Sequence, residues 1–256
     1  MSRILVTSCK GGVGKSTVSI GVATALAVCG KRVLLIDFDL GNRSLDLMLG
    51  MQDDILYDIA DLASGRCEPE DVVKVHPDFP NLAFIGAPFR YENDITTETF
   101  SLALDSLEET FDFDFIIVDT SGGAHESVSM SAPLCESAII VSSQSPIAIR
   151  AAEKSGMILD ENGVEEQHLI INGFDMSMGK RAGVLDMIDR TRTPLLGIVP
   201  MDVNLSLLNE NGESIFDRKK SNSKVAFENI AKRLSGENVP LLRGFTGIKR
   251  DKVLYN

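Results

Sequence analysis

Nothing in this 256-residue chain reads as a transmembrane span: its apolar runs are short, where a spanning helix needs roughly 20 residues. Nor does it open like a secreted protein, since the apolar start runs straight into a glycine-rich loop, and a reducing cytoplasm is the expectation. Cysteine is scarce and scattered. Cys9, Cys29, Cys67 and Cys135 form no C-x-x-C pair, which argues against a disulfide framework or a cysteine zinc site. The three histidines show no H-E-x-x-H spacing. Positive charge is in short supply as well: the net charge of −12 argues against a mainly electrostatic grip on nucleic acid. Internal repeats, low-complexity tracts and Pro/Gly/Ser linkers are all missing, so a single domain of residues 1–240 with a short tail is expected.

What is present begins with Lys10-Gly11-Gly12-Val13-Gly14-Lys15-Ser16-Thr17. Apolar Ile4-Leu5-Val6 precedes this run, and Ser16 to Cys29 reads as a helix ended by Gly30. Strand, glycine loop and helix in that order form the context of a phosphate-binding loop. Glycines let consecutive backbone N–H groups turn around phosphate oxygens, and the positive end of the helix faces the same anion. Lys15 is then expected at the β/γ-phosphates, with the Ser16 hydroxyl on a magnesium ion. Cys9 stands where the generic pattern has its first glycine, and Lys10 is an additional lysine.

Runs rich in Ile, Leu and Val recur at Ile4–Thr7, Val33–Asp37, Leu82–Ile85, Phe115–Asp119, Ala138–Val141, Leu169–Asn172 and Leu195–Val199. Their lack of alternation is that of strands buried on both faces of a parallel sheet. Helical patterns lie between them. Phe100, Leu104, Leu107 and Phe111 share one helix face; Ser145-Pro146 is a helix start with Gly163 as its stop; Asn222 to Leu234 is a last helix before Gly236. The alternation predicts an α/β fold, a doubly wound and mostly parallel sheet flanked by helices, with ligands at the carboxyl ends of the strands. Carboxylates stand at those ends. Asp37 and Asp119 close apolar runs and Asp39 follows just beyond, where an acid can orient a metal-bound water.

These residues resemble the MinD/ParA group of deviant Walker A ATPases, in which the extra lysine, here Lys10, reaches into a partner's nucleotide site. The likeness continues through Asp37-Phe38-Asp39-Leu40-Gly41-Asn42-Arg43-Ser44-Leu45-Asp46, through Leu169-Ile170-Ile171-Asn172 and through Leu196-Gly197-Ile198-Val199-Pro200-Met201-Asp202, and it is more specific to the MinD branch. The resemblance implies a magnesium-dependent ATPase that binds ATP and ADP. In that reading Lys10, Lys15 and Asp39 are catalytic, with Asp39 polarising the attacking water. Ser16, Asp37 and Asp119 serve Mg2+, and Gly11, Gly12, Val13, Gly14, Lys15, Ser16, Thr17, Asn172, Pro200 and Asp202 hold the nucleotide. It also implies an ATP-bound homodimer, a division inhibitor and a hydrolysis activator as partners, and a part in division-site placement. Thr120-Ser121-Gly122-Gly123 departs from the family's S-P-A-G and should be more flexible; Ser44 and Gly173 depart as well.

Residues 241–256 carry Arg243, Lys249, Arg250 and Lys252 against Asp251, with Leu241, Leu242, Phe245 and Ile248 able to share a helix face. That is the composition of an anchor for an anionic membrane surface at the inner face of the cell, although Gly244 and Gly247 weaken a helix and a disordered or docked tail reads equally well. Other classes fit less closely. A DNA-segregation ATPase wants basic surface, a metal-cluster carrier wants paired cysteines, and a tyrosine autokinase wants more than Tyr255. A flagellar or pilus-positioning relative and a scaffold with little hydrolysis stay open.

Overall fold

The structure, a computed structural model, describes residues 1–91, 95–123, 126–175 and 182–241. In chain order come β1 (Ser2–Thr7), α1 (Lys15–Val28), β2 (Val33–Phe38), α2 (Leu45–Leu49), α3 (Ile59–Ala63), α4 (Pro69–Val72), β3 (Lys74–Val75) and β4 (Leu82–Ile85). The second part has α5 (Thr97–Thr110), β5 (Phe115–Thr120), α6 (Glu126–Ser131), β6 (Ser137–Ser142), α7 (Pro146–Glu161), β7 (Glu166–Phe174), α8 (Ala182–Thr191), β8 (Leu195–Pro200), α9 (Val203–Glu210) and α10 (Asn222–Leu234). The strands lie in the order β3-β4-β2-β5-β1-β6-β7-β8, and every pairing is parallel except that of the two-residue β3 with β4. This is the doubly wound sheet expected from the apolar runs.

β1 lies between β5 and β6, so the chain leaves it at the point where the strand order reverses. Crevices open at such switch points, outside the carboxyl ends of the strands. Register then decides which side chains meet there. Asp37 on β2 is the direct neighbour of Asp119 on β5, and Asp119 is the neighbour of Val6 on β1. The strands run one residue further than the apolar runs indicate, so both acids sit inside strand ends rather than at their tips.

The central strands are buried on both faces, as their unbroken Ile, Leu and Val content requires. Beyond the buried Lys15 at its start, α1 passes through this core with small and branched side chains inside, including Val18, Val22, Ala23 and Leu26. Phe227 of α10 lies over Gly21, and Ile230 over Gly197 of β8; a Cβ on Gly21 would come within 2.4 Å of the ring. α5 starts at a capping box of Thr96 and Thr99, and Phe111 follows its last turn as the C-cap, half-buried against the same core as Phe100, Leu104 and Leu107. Arg233 is buried at the end of α10 and donates to the carbonyls of Leu196 and Val239, fastening the chain up to Leu241 against β8. Of the expected basic tail, residues 242–256 lie outside the described residues. No helix among the described residues is long and apolar enough to cross a membrane.

The Gly21–Phe227 contact predicts that Gly21→Ala destabilises the protein by about 1–3 kcal/mol, overpacking outweighing the gain of about 1 kcal/mol in helix propensity. Urea unfolding measures this, and a variant as stable as the wild type would contradict the packing described.

Candidate functional site

The loop between β1 and α1 owes its shape to two glycines with positive φ, Gly12 at 75° and Gly14 at 83°. Cys9 is not among the residues with positive φ, so the missing glycine leaves no strain; its N–H is taken by the Ser155 hydroxyl of α7 at 2.9 Å. Gly14 is demanded twice over. Besides its left-handed backbone, a Cβ there would lie 2.1 Å from Nδ2 of Asn172. That amide donates to the Val13 carbonyl at 2.8 Å, so Asn172 at the end of β7 holds the loop itself.

Asp119 gathers three donors. Lys15 Nζ donates to its Oδ2 at 2.8 Å, Ser16 Oγ to the same oxygen at 2.9 Å, and Ser19 Oγ to Oδ1. Lys15 and Asp119 are both buried, so the ion pair is shielded from water. Asp37 has no exposed surface and accepts three backbone N–H groups: Asp39 at 3.0 Å, Ser44 at 3.2 Å and Leu45 at 3.1 Å. Burial, and then the neighbouring Asp119 carboxylate, push the Asp37 carboxyl up to about 7 against those donors, which favour its charged form. The donors at Ser44 and Leu45 belong to the start of α2, and Arg43 fixes that start through a buried ion pair with Asp46.

Lys10, Lys15, Ser16, Asp39, Asn42 and Gly122 border a cavity of about 450 Å3 over the loop. Asn42 Nδ2 donates to Asp39 at 3.3 Å. A second cavity, of about 370 Å3, continues across Gly12, Gly14 and Thr17 to Asn172, Pro200 and Asp202. The structure thus brings Lys10, Gly11, Gly12, Val13, Gly14, Lys15, Ser16, Thr17, Asp39, Asn172, Pro200 and Asp202 together along one crevice, whereas Asp37 and Asp119 line neither cavity and lie buried behind it, Asp119 in contact with Lys15 and Ser16. Asp202 also does something the sequence did not indicate. It caps α9 through the Asn204 N–H and accepts the Ser221 and Ser223 hydroxyls at the start of α10. The segment Thr120–Gly123, expected to be flexible, is tethered by Thr120 to the Val6 carbonyl and by the Gly123 N–H to the Ser8 carbonyl at 2.7 Å. Gly123 has φ 126°, which favours glycine, and Gly122 lies against Gly11 closely enough that a Cβ there would be in van der Waals contact with it at 3.4 Å.

The donor set suits magnesium, a hard ion that takes a hydroxyl and carboxylate oxygens and draws its remaining ligands from phosphates and water. Among the described residues there is no cluster of three or more His, Cys, Asp or Glu that could hold a metal. When bound, a magnesium ion would neutralise charge on the phosphates. Ser16 is the side chain placed to ligate it beside Asp119.

A glycine loop opening α1 at the switch point of a parallel sheet, with Lys15 and Ser16 on a buried strand-end acid, defines a P-loop nucleoside triphosphatase. The model of the CobQ/CobB/MinD/ParA nucleotide-binding domain matches residues 4–215, and the chain belongs to that family. It is 32% identical to the septum site-determining protein MinD of Bacillus subtilis, over 93% of this chain and 90% of that one. Two solved structures extend the likeness. The MinC:MinD cell division protein complex of Aquifex aeolicus superposes with a TM-score of 0.88 at 31% identity, covering 95% of this chain and 99% of that one. MinD of Pyrococcus horikoshii in complex with Mg-ADP gives 0.79 at 25% identity, covering 91% and 95%. The chain is a magnesium-dependent P-loop ATPase of the MinD type.

The raised pKa of Asp37 has a measurable consequence. The folded state holds this proton more tightly than the unfolded chain, so the stability it contributes is present at low pH and lost as pH rises through about 7. Without metal and nucleotide, the wild type should therefore lose stability relative to Asp37→Asn as pH is raised from about 5 to about 8, read as the difference between their Tm values. His76 and His168, whose pKa values burial lowers, are common to both proteins and cancel. A difference that does not change with pH would contradict the assignment.

Proposed function

We propose that this protein is an ATP-driven switch for division-site placement: it dimerises on ATP, acts while the dimer lasts, and separates on hydrolysis to ADP and phosphate. The observation that carries this reading is the cavity over the phosphate loop, where Lys10 and Asp39 stand with Lys15 and Ser16 on one opening. Lys15 and the loop N–H groups bind the phosphates. Asp39, at the edge of that cavity, accepts hydrogen bonds from the attacking water and orients it. Ser16 would hold the magnesium, with the Asp37 and Asp119 carboxylates behind it supplying negative charge, and the ion would neutralise charge on the phosphates. Asn172, Pro200 and Asp202 border the cavity on the base side.

Lys10 crosses to the phosphates of a second copy, which makes the nucleotide part of the dimer interface. Turnover is slow until a hydrolysis activator binds, and a division inhibitor of the MinC kind is the partner of the ATP-bound form. Residues 241–256 anchor the dimer to an anionic membrane at the inner face of the cell. One short basic-apolar segment binds weakly, whereas two copies in a dimer bind with avidity, so recruitment follows ATP.

Three measurements test this. Asp39→Ala should slow phosphate release at least about 100-fold while the ATP dimer persists in sedimentation. Lys10→Ala should bind ATP yet fail to respond to the activator. Normal turnover in both variants would remove the mechanism. Pelleting with anionic vesicles should require both ATP and residues 241–256; a truncated protein that still pellets would remove the anchor.

A further inference from the structure

Ser19 stands on α1, three residues after Ser16, in a run of Val18, Ile20 and Val22 where nothing in the sequence calls for a polar group. It has no exposed surface. A buried hydroxyl costs stability unless it is bonded, and an alanine would fill the same space without that cost. Its proton has two acceptors in reach, the Lys15 carbonyl at 3.2 Å and Oδ1 of Asp119, and the shorter bond is the one to the carboxylate. Bonds to ionised acceptors are the stronger kind.

The division of labour on Asp119 gives this bond its meaning. Lys15 and Ser16 both donate to Oδ2, and both are the groups that an incoming Mg-nucleotide claims, the ammonium for phosphate and the hydroxyl for the metal. Ser19 donates to the other oxygen and faces no ligand cavity. When Lys15 and Ser16 turn to the ligand, Ser19 is the side-chain donor that stays.

We propose that Ser19 is a positioning residue for magnesium: by holding Oδ1 it fixes the rotamer of Asp119 so that Oδ2 keeps facing the phosphate loop throughout the nucleotide cycle. This rests on the assignment of Asp119 to the metal made above. Hydrogen-bond partners of direct metal ligands typically set 10–100-fold in affinity, and Ser19, acting through Asp119, is expected at the lower end of that range.

The test is Mg2+ dependence of nucleotide binding, which needs no turnover. The affinity of the full-length protein for a fluorescent ADP analogue is titrated against Mg2+ for wild type, Ser19→Ala and Ser19→Thr. The Mg2+ concentration for half-maximal effect should rise roughly tenfold in Ser19→Ala and move back toward the wild-type value in Ser19→Thr, which restores the hydroxyl. Tm without metal serves as the structural control. A folded Ser19→Ala whose Tm falls while its Mg2+ dependence stays at the wild-type value would overturn the proposal, because the hydroxyl would then serve packing alone. If Asp119→Ala binds Mg-ADP with wild-type Mg2+ dependence, the metal assignment fails and the Ser19 proposal fails with it. Absence of ATP hydrolysis in the wild type would count against the switch reading and leave this binding test intact.

Discussion

Asp37 and Asp119 lie side by side on neighbouring parallel strands, both closed off from water. Two adjacent buried carboxylates are costly, and the site is arranged around meeting that cost. The two acids are satisfied by different means. Asp119 is neutralised by a lysine and bonded by two serines of α1, whereas among the described residues Asp37 receives only backbone N–H groups, and its pKa rises to about 7. A protein needing only a stable sheet would place apolar residues at both positions. Two buried acids at one strand end fit a place that receives positive charge.

The supports of these acids reach well beyond the phosphate loop. The donors to Asp37 depend on α2 beginning where it does, which the Arg43–Asp46 pair fixes. The far end of α2 is held by contact of bare backbones: a Cβ on Gly50 would meet the Gly212 carbonyl at 2.9 Å. Gly212 follows α9, and α9 is capped by Asp202, which borders the cavity on the base side. The metal end and the base end of the crevice thus share one continuous set of packed elements. Asn172 adds a shorter link, from the base side directly to the Val13 carbonyl.

How much of this the sequence revealed depended on the range of each interaction. Strand runs and the glycine loop are local and repetitive, and Leu82–Ile85 and Asn222–Leu234 fall where they were expected. Short elements carry no periodicity. The five residues of α2 and the two of β3 are each shorter than the pattern that would announce them. Ser19 was invisible for a related reason: on an apolar helix a serine reads as a small core residue, and its partner is 100 positions away. Asp202 was read for its place beside the base, but its hydrogen bonds to Ser221 and Ser223 depend on where α10 begins in space. Cys9 looked like a defect by pattern and proved neutral by geometry, because only Gly12 and Gly14 in this loop need positive φ.

The same electrostatics explain why nucleotide and metal should arrive together. The buried positive charge of Lys15 is paired with Asp119. A nucleotide without metal would draw Lys15 to its phosphates and leave Asp119 beside Asp37 with no counter-charge, an arrangement the low dielectric of the strand ends penalises. A magnesium ion held by Ser16 would restore positive charge beside Asp119. If the proposed roles hold, coupled binding of nucleotide and metal follows from the placement of two acids and one lysine.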